Sequence, residues 1–102
     1  MKVKIQPVIK IDGHWVKIFY EDNLSDYHGK YGQSRFAECE IAIDRSISDS
    51  CKMQTIIHEL LHFIDNTYNN YRLEEAETDA LATGIHTLLV DMGVEFDWSD
   101  IK

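Results

Sequence analysis

The sequence is poor in several residue types, and each shortage excludes a class of protein. Its 102 residues include only two cysteines, one proline and ten lysines or arginines, against eighteen aspartates and glutamates. Cys39 and Cys51 form neither a disulfide framework nor a Cys-x-x-Cys zinc pair, so we expect reduced thiols. The formal net charge of −8 leaves no basic face for phosphates. We therefore expect no nucleic-acid partner.

Long apolar runs are also missing. No stretch reaches the roughly 18 residues of a membrane helix, and the N-terminus lacks the apolar core of a signal peptide. We therefore expect no membrane contact and a cytoplasmic location. The apolar content of 44% and the charged content of 27% are those of an ordinary globular domain.

The most informative motif is H-E-x-x-H, formed by His58, Glu59 and His62. Two histidines four residues apart lie on the same face of a helix, where they can bind one zinc ion, and the glutamate can activate a zinc-bound water. A helix over residues 46–67 is predicted because N-cap residues precede an apolar arc opposite the histidines. The alternative is a chance coincidence on an ordinary amphipathic helix. The arc consists of Met53, Ile56, Ile57, Leu60, Leu61 and Ile64.

A catalytic zinc site needs a third protein ligand and one open position. The sequence does not match the pattern H-E-x-x-H-x-x-G-x-x-H, because Asp65 stands at the position of its glycine and Tyr68 at the position of its third histidine. A second helix, predicted over residues 72–92, offers Glu75 as the third ligand. Asp79, one turn further on the same face, could accept the free ring N–H of a histidine ligand.

Other acidic residues stay open as alternatives around this site. Asp65 could support a histidine, or it could be a solvated carboxylate near the end of the first helix. If Glu75 is not the third ligand, then Glu74, Glu77 or Asp65 is. His86 lies eleven residues beyond Glu75, about 16 Å along a helix, and is too far away to share the ion.

The sequence His58-Glu59-x-x-His62 followed by Glu75-x-x-x-Asp79 resembles the gluzincin pattern of zinc metallopeptidases. The small size of the chain is similar to that of ImmA/IrrE-like and phage-encoded minigluzincin proteins. The resemblance covers roughly residues 37–92. It implies that the strand before the metal helix is a sheet edge along which an extended peptide can pair. It also implies the cytoplasm of a phage-infected or mobile-element-carrying bacterial host.

The remaining chain predicts strands. Residues 2–11 alternate, Asp12-Gly13 is a hairpin turn, and His14–Tyr20 is the return strand. Residues 21–36 are polar and predict a loop. Residues 37–44 alternate again, with Ile41 and Ile43 among the inward residues and Asp44 outward. We predict a single α+β domain, a zincin-like metallopeptidase core with an antiparallel or mixed three-stranded sheet packed on two main helices. Its parts are the sheet region (1–44), the metal-binding helix (46–67), the glutamate helix (72–92) and the tail (93–102).

These features together predict a zinc metallopeptidase that acts on a protein or peptide substrate. One Zn²⁺ is held by His58, His62 and Glu75, Asp79 supports a histidine, and Glu59 is the general base for a metal-activated water. The alternative is a zinc-binding pseudoenzyme or protein-interaction module of phage or mobile-element origin. The sequence sets no oligomeric state. It does not choose the oxyanion-stabilising residue, for which the candidates are Tyr27, His28, Tyr31, Tyr68 and Tyr71.

Overall fold

The computed structural model describes the backbone of residues 1–102 and every side chain except those of residues 27 and 28. The chain forms six strands and three helices along its length. The strands are β1 (Lys2–Lys4), β2 (Val8–Ile11), β3 (His14–Glu21), β4 (Gly32–Arg35), β5 (Glu40–Asp44) and β6 (Glu95–Asp97). The helices are α1 (Leu24–His28), α2 (Asp49–Tyr68) and α3 (Glu75–Asp91).

A four-stranded mixed sheet forms one layer of the domain, with the order β2-β3-β5-β4. The β2–β3 and β4–β5 pairs are antiparallel, whereas β3 and β5 are parallel. Asp12 and Gly13 turn the β2–β3 hairpin with φ values of 48° and 80°, as expected for this dipeptide. The predicted α+β class, with a mixed sheet and two main helices, is confirmed, but the predicted count of three strands is wrong, because β4 adds a fourth strand to the sheet.

The N-terminal segment forms two strands, where the alternation predicted one strand over residues 2–11. The break contains Pro7, which has no N–H to give to a continuous ladder. Strand β1 leaves the main sheet and pairs in parallel with β6 from the C-terminal tail. The tail packs onto the domain, where Trp98 and Ile101 are buried.

The segment 21–36 was predicted as a loop, and that prediction is wrong, because it contains α1 and β4. Strand β4, with the sequence Gly-Gln-Ser-Arg, has no apolar alternation that could reveal a strand. It forms through backbone pairing with β5 and is the edge of the sheet. Strand β5, which precedes α2, therefore lies inside the sheet, and the expected edge position belongs to β4.

Strand β5 starts later than predicted and is buried more deeply. Ala37 and Cys39 fall in a turn, where Ala37 is exposed and Cys39 has a φ of 54°. Asp44 was predicted to face outward, but it is fully buried. Its carboxylate accepts hydrogen bonds from the Ser25 N–H at 2.7 Å, the Ser46 N–H at 2.8 Å and the Ser46 hydroxyl at 2.6 Å. Asp44 thus joins the start of α1 to the loop that leads into α2.

Helix α2 packs against the sheet, and α3 packs against α2. The Ser48 side chain accepts from the Cys51 N–H at the start of α2, and Gly93, with a φ of 78°, follows the end of α3. In the part of the chain that the structure describes, no helix is long and apolar enough to span a bilayer. The core comprises Ile5, Val16, Ile18, Ile41, Ile43, Met53, Ile56, Ile57, Phe63, Ala82, Val94, Trp98 and Ile101.

The buried Asp44 predicts a pH-dependent stability. Hydrogen bonds from Ser25 and then Ser46 hold the pKa of its carboxyl well below the ordinary value. The ordinary pKa is 3.8, so the carboxylate stabilises the fold fully above about pH 4, and this contribution is lost as the pH falls toward the lower folded-state pKa. We expect Asp44→Asn to lower the free energy of unfolding by about 1–3 kcal/mol at pH 7.

Urea unfolding at pH 7 and at about pH 3 measures this contribution. The difference between wild type and Asp44→Asn should shrink at the lower pH. Asp91→Asn, which removes an exposed carboxylate, is the matched control and should change the stability little at either pH. An Asp44→Asn difference that stays constant with pH would contradict the assigned role of the charge.

Candidate metal centre

Two helices bring three ligand-type side chains together. His58 and His62 lie one turn apart on α2, and Glu75 is the first residue of α3. The Nε2 atoms of the two histidines are 3.0 Å apart. The Glu75 carboxylate lies 2.8 Å from His58 Nε2 through Oε1 and 3.2 Å from His62 Nε2 through Oε2. The structure therefore assembles the three residues that the sequence proposed as ligands.

The donor set fits a zinc ion in type and in spacing. Two imidazole nitrogens and one carboxylate are the ligands of one class of catalytic zinc site. Zinc bonds of about 2.0–2.1 Å in tetrahedral geometry separate ligand atoms by about 3.3 Å. The separations of 2.8–3.2 Å between the three residues are close to that value. A small outward movement of the side chains would accommodate the ion.

Asp79 lies where the sequence placed it. Its Oδ1 is 3.2 Å from His58 Nδ1, one helical turn beyond Glu75. When Nδ1–H donates to Asp79, the neutral ring keeps the lone pair of Nε2 for a metal ion. His62 has no such support, because its buried Nδ1 has no hydrogen-bond partner among the described residues. Its ring stacks instead on Tyr71, with centroids 6.3 Å apart and an interplanar angle of 13°.

Asp65 is neither a histidine support nor a solvated carboxylate, so both of those expectations are wrong. It is only 2% exposed, and its carboxylate accepts from Asn69 Nδ2 at 2.9 Å, the Arg72 N–H at 3.1 Å and the Leu73 N–H at 3.3 Å. Its backbone carbonyl accepts from the N–H of Tyr71, whose φ of 55° is unusual for a bulky residue. Asp65 therefore holds the connection between α2 and α3.

The other acidic alternatives for the third ligand have a different role. Glu74 and Glu77 form a capping box at the start of α3, in which the Glu74 N–H donates to Glu77 Oε1 at 2.8 Å. The group of described residues with metal-binding geometry contains neither of them. Their hydrogen bonds fix the first turn of α3, from which Glu75 projects toward the histidines.

Glu59 lies beside the ligands but outside their group. Its side chain is turned toward β4 and is only 8% exposed. The Ser34 hydroxyl lies 2.7 Å from Glu59 Oε1 and 3.1 Å from the Glu59 carbonyl oxygen, and it can donate to either. Gly32 on the same strand allows this close packing, because a Cβ there would lie 2.6 Å from Thr55 Cγ2 and 3.1 Å from Glu59 Cγ. Sequence analysis missed Ser34 because β4 carries no local strand signal.

A cavity of about 720 Å³ opens in front of these residues, between β4, α2 and α3. Tyr31 and Tyr71 line it, and Tyr68 does not. The side chains of Tyr27 and His28, also named as oxyanion candidates, lie outside the described part of the structure. The structure thus leaves Tyr31 and Tyr71 as the described candidates that face the site.

The two other histidines whose side chains the structure describes take no part in this group. His14 is exposed on β3. His86 lies on α3 away from the lining of the cavity, and its buried Nε2 has no partner among the described residues.

Comparison of the chain with protein-family models, with curated proteins and with solved structures finds no match. The gluzincin resemblance therefore remains a prediction. It depends on the spacing of five residues, His58, Glu59, His62, Glu75 and Asp79, and on the geometry described above.

Zinc titration tests the ligand set. We expect the purified chain to bind one zinc ion, and His58→Ala, His62→Ala and Glu75→Gln each to weaken binding by more than the 10- to 100-fold cost of losing a supporting residue. Competition with a chromophoric chelator measures the affinity. His14→Ala, which removes an exposed histidine, is the control and should bind like wild type. Full-strength zinc binding by Glu75→Gln would exclude Glu75 as the third ligand.

The role of Asp79 is tested separately. Asp79→Asn should leave the free energy of unfolding nearly unchanged, because the side chain is 72% exposed. It should lower the zinc affinity by about 10- to 100-fold, because His58 loses the acceptor that orients its ring. Titration of zinc into both proteins measures the difference. Equal affinities would show that the contact with His58 has no effect on the ion.

Proposed function

We propose that this chain is a zinc-dependent metallopeptidase that hydrolyses peptide bonds in a protein or peptide substrate. One arrangement supports the proposal above all others. Two imidazoles and a carboxylate converge at one end of a cavity, and Glu59 lines the same cavity without belonging to the ligand group. A structural metal site has no need of such a carboxylate, whereas hydrolysis requires a general base.

The residues take distinct roles in this reaction. Zinc held by His58, His62 and Glu75 would lower the pKa of water toward about 7 and polarise the scissile carbonyl. Glu59 takes the proton of the attacking water and passes it to the leaving amine. The Ser34 hydroxyl holds the Glu59 carboxylate in place for both transfers. Tyr31 and Tyr71 are the described side chains available to donate to the developing oxyanion.

The free edge of β4 suggests how a substrate is held. This strand pairs with β5 on one side only and lines the cavity through Gly32, Gln33 and Ser34. An edge strand has unpaired N–H and C=O groups that can bind an extended peptide. We therefore infer that the substrate is an extended segment that pairs with β4. We also infer a cytoplasmic setting, which both free cysteines suit.

The alternative function is a zinc-binding pseudoenzyme or protein-interaction module of phage or mobile-element origin, in which the metal is structural. The burial of Glu59 and its hydrogen bond to Ser34 favour it, because a buried, bonded glutamate can serve the fold alone. The two functions differ in what happens when the Glu59 charge is removed.

The substitution Glu59→Gln separates catalysis from zinc binding. It keeps the shape of the side chain and an acceptor for Ser34, but it removes the base. We expect zinc affinity and the midpoint of urea unfolding to change little, while peptide hydrolysis falls by about 10²- to 10⁴-fold. Hydrolysis is measured with unfolded protein substrates and a mixed peptide library. Glu38→Gln, which changes an exposed glutamate in a turn, is the matched control and should remain fully active.

Two outcomes would contradict the peptidase. If Glu59→Gln loses zinc or unfolds, then the carboxylate is structural. If wild type and variant are equally inactive with every substrate while both bind zinc, then the interaction module is the better description.

A further inference from the structure

Helix α3 has an apolar stripe that the rest of the chain leaves uncovered. Leu81, Ile85, Leu88 and Met92 are 47%, 36%, 59% and 72% exposed. Their spacing of four, three and four residues aligns them along one side of the helix. We call these four residues the α3 stripe. The buried residues of α3, Thr78 and Ala82, contact the domain instead.

The α3 stripe has the length and spacing of a helix-pairing seam. It covers eleven helical steps, about 16 Å at 1.5 Å per residue, or three turns. Apolar residues that alternate at intervals of three and four residues are the pattern with which two helices pack side by side. Single exposed apolar residues are common on protein surfaces, whereas a continuous apolar row indicates a binding surface.

Gly84 is a second, independent observation on the same surface. It lies three residues after Leu81 and four before Leu88, and a Cβ at this position would have no atom within 4 Å. A glycine within a helix destabilises it relative to alanine, and nothing in this fold requires one here. A missing side chain beside the stripe lets a second helix approach more closely.

The charge around the α3 stripe indicates what kind of helix fits. Glu77 lies one turn before Leu81, and Asp91 lies beside Met92 at the other end of the stripe. Both are exposed and form no ion pair with another described residue. Glu95 is not counted, because it stands opposite Lys2 in the β1–β6 pair, where the N-terminal ammonium donates to the Gly93 carbonyl. A second copy of this chain is a poor partner for the stripe, because two chains that each have a formal net charge of −8 repel each other.

We propose that the α3 stripe binds an amphipathic α-helix of a partner protein, with a three-four apolar seam and lysine or arginine on its flanks. The apolar seam supplies the buried area, and the basic flanks pair with the carboxylates at both ends of the stripe. Leu88 and Asp79 are nine residues apart, which places them on opposite sides of α3. The partner helix therefore binds without covering the metal centre, and this interaction does not depend on peptidase activity.

Two synthetic helical peptides with the same leucine seam, one flanked by lysine and one by glutamate, test the proposal. Fluorescence anisotropy with the full chain measures their affinities. We expect the lysine peptide to bind at least about tenfold more tightly than the glutamate peptide. We expect Leu88→Asn to weaken binding of the lysine peptide by at least about tenfold. The matched control is Val90→Asn. Val90 is 51% exposed but lies about 160° around the helix from Leu88, so this variant should bind like wild type.

A further variant separates binding from folding. Gly84→Gln should raise the urea midpoint of the free chain, because it replaces a helical glycine. The same variant should weaken binding of the lysine peptide, because its side chain fills the gap beside the stripe.

Several results would overturn the proposal. The first is failure of the lysine peptide to bind, and the second is equal binding of the two peptides. Binding that Leu88→Asn leaves unchanged would place the peptide elsewhere. Sedimentation of wild type as a dimer that Leu88→Asn dissociates would make a second copy the occupant of the stripe. Leu88-dependent binding to phosphatidylcholine vesicles would show that the stripe binds a lipid surface instead of a partner helix.

Discussion

The buried carboxylate of Asp65 is the constraint on which the candidate site depends. It sits on α2, one turn beyond His62, and accepts hydrogen bonds from the connection that leads to α3. A buried carboxylate is stable only when its acceptor capacity is used, so the connection folds tightly around it. Because Glu75 follows this connection directly, the position of Glu75 against the two histidines is a consequence of that folding.

The contact between β4 and α2 is the second organising interaction. Gly32 lets the helix approach the strand, and Ser34 bonds the Glu59 carboxylate. The strand that offers a free edge to a peptide therefore also holds the residue that we propose as the general base. In this small domain, substrate position and base orientation depend on one strand, and a shift of β4 would alter both.

Helix α3 contributes to both proposals through different sides. Glu75 and Asp79 face the histidines of α2, while the α3 stripe faces away from the domain. Helix α3 packs against α2 on one side. Its other side remains available for a partner.

The sequence by itself determined the features that depend on local spacing. The Asp12-Gly13 turn and the positions of His58, Glu59 and His62 on one helix follow from the geometry of neighbouring residues, and Glu75 and Asp79 share a face for the same reason. Tertiary structure alone decided β4 and the burial of Asp44, whereas the Asp65 carboxylate bonds residues only four to eight positions further along the chain. Asp44 bonds Ser25 across 19 residues, and Ser34 bonds Glu59 across 25. Such contacts join segments that are distant along the chain, so no local periodicity records them, and only the packed fold brings the partners together.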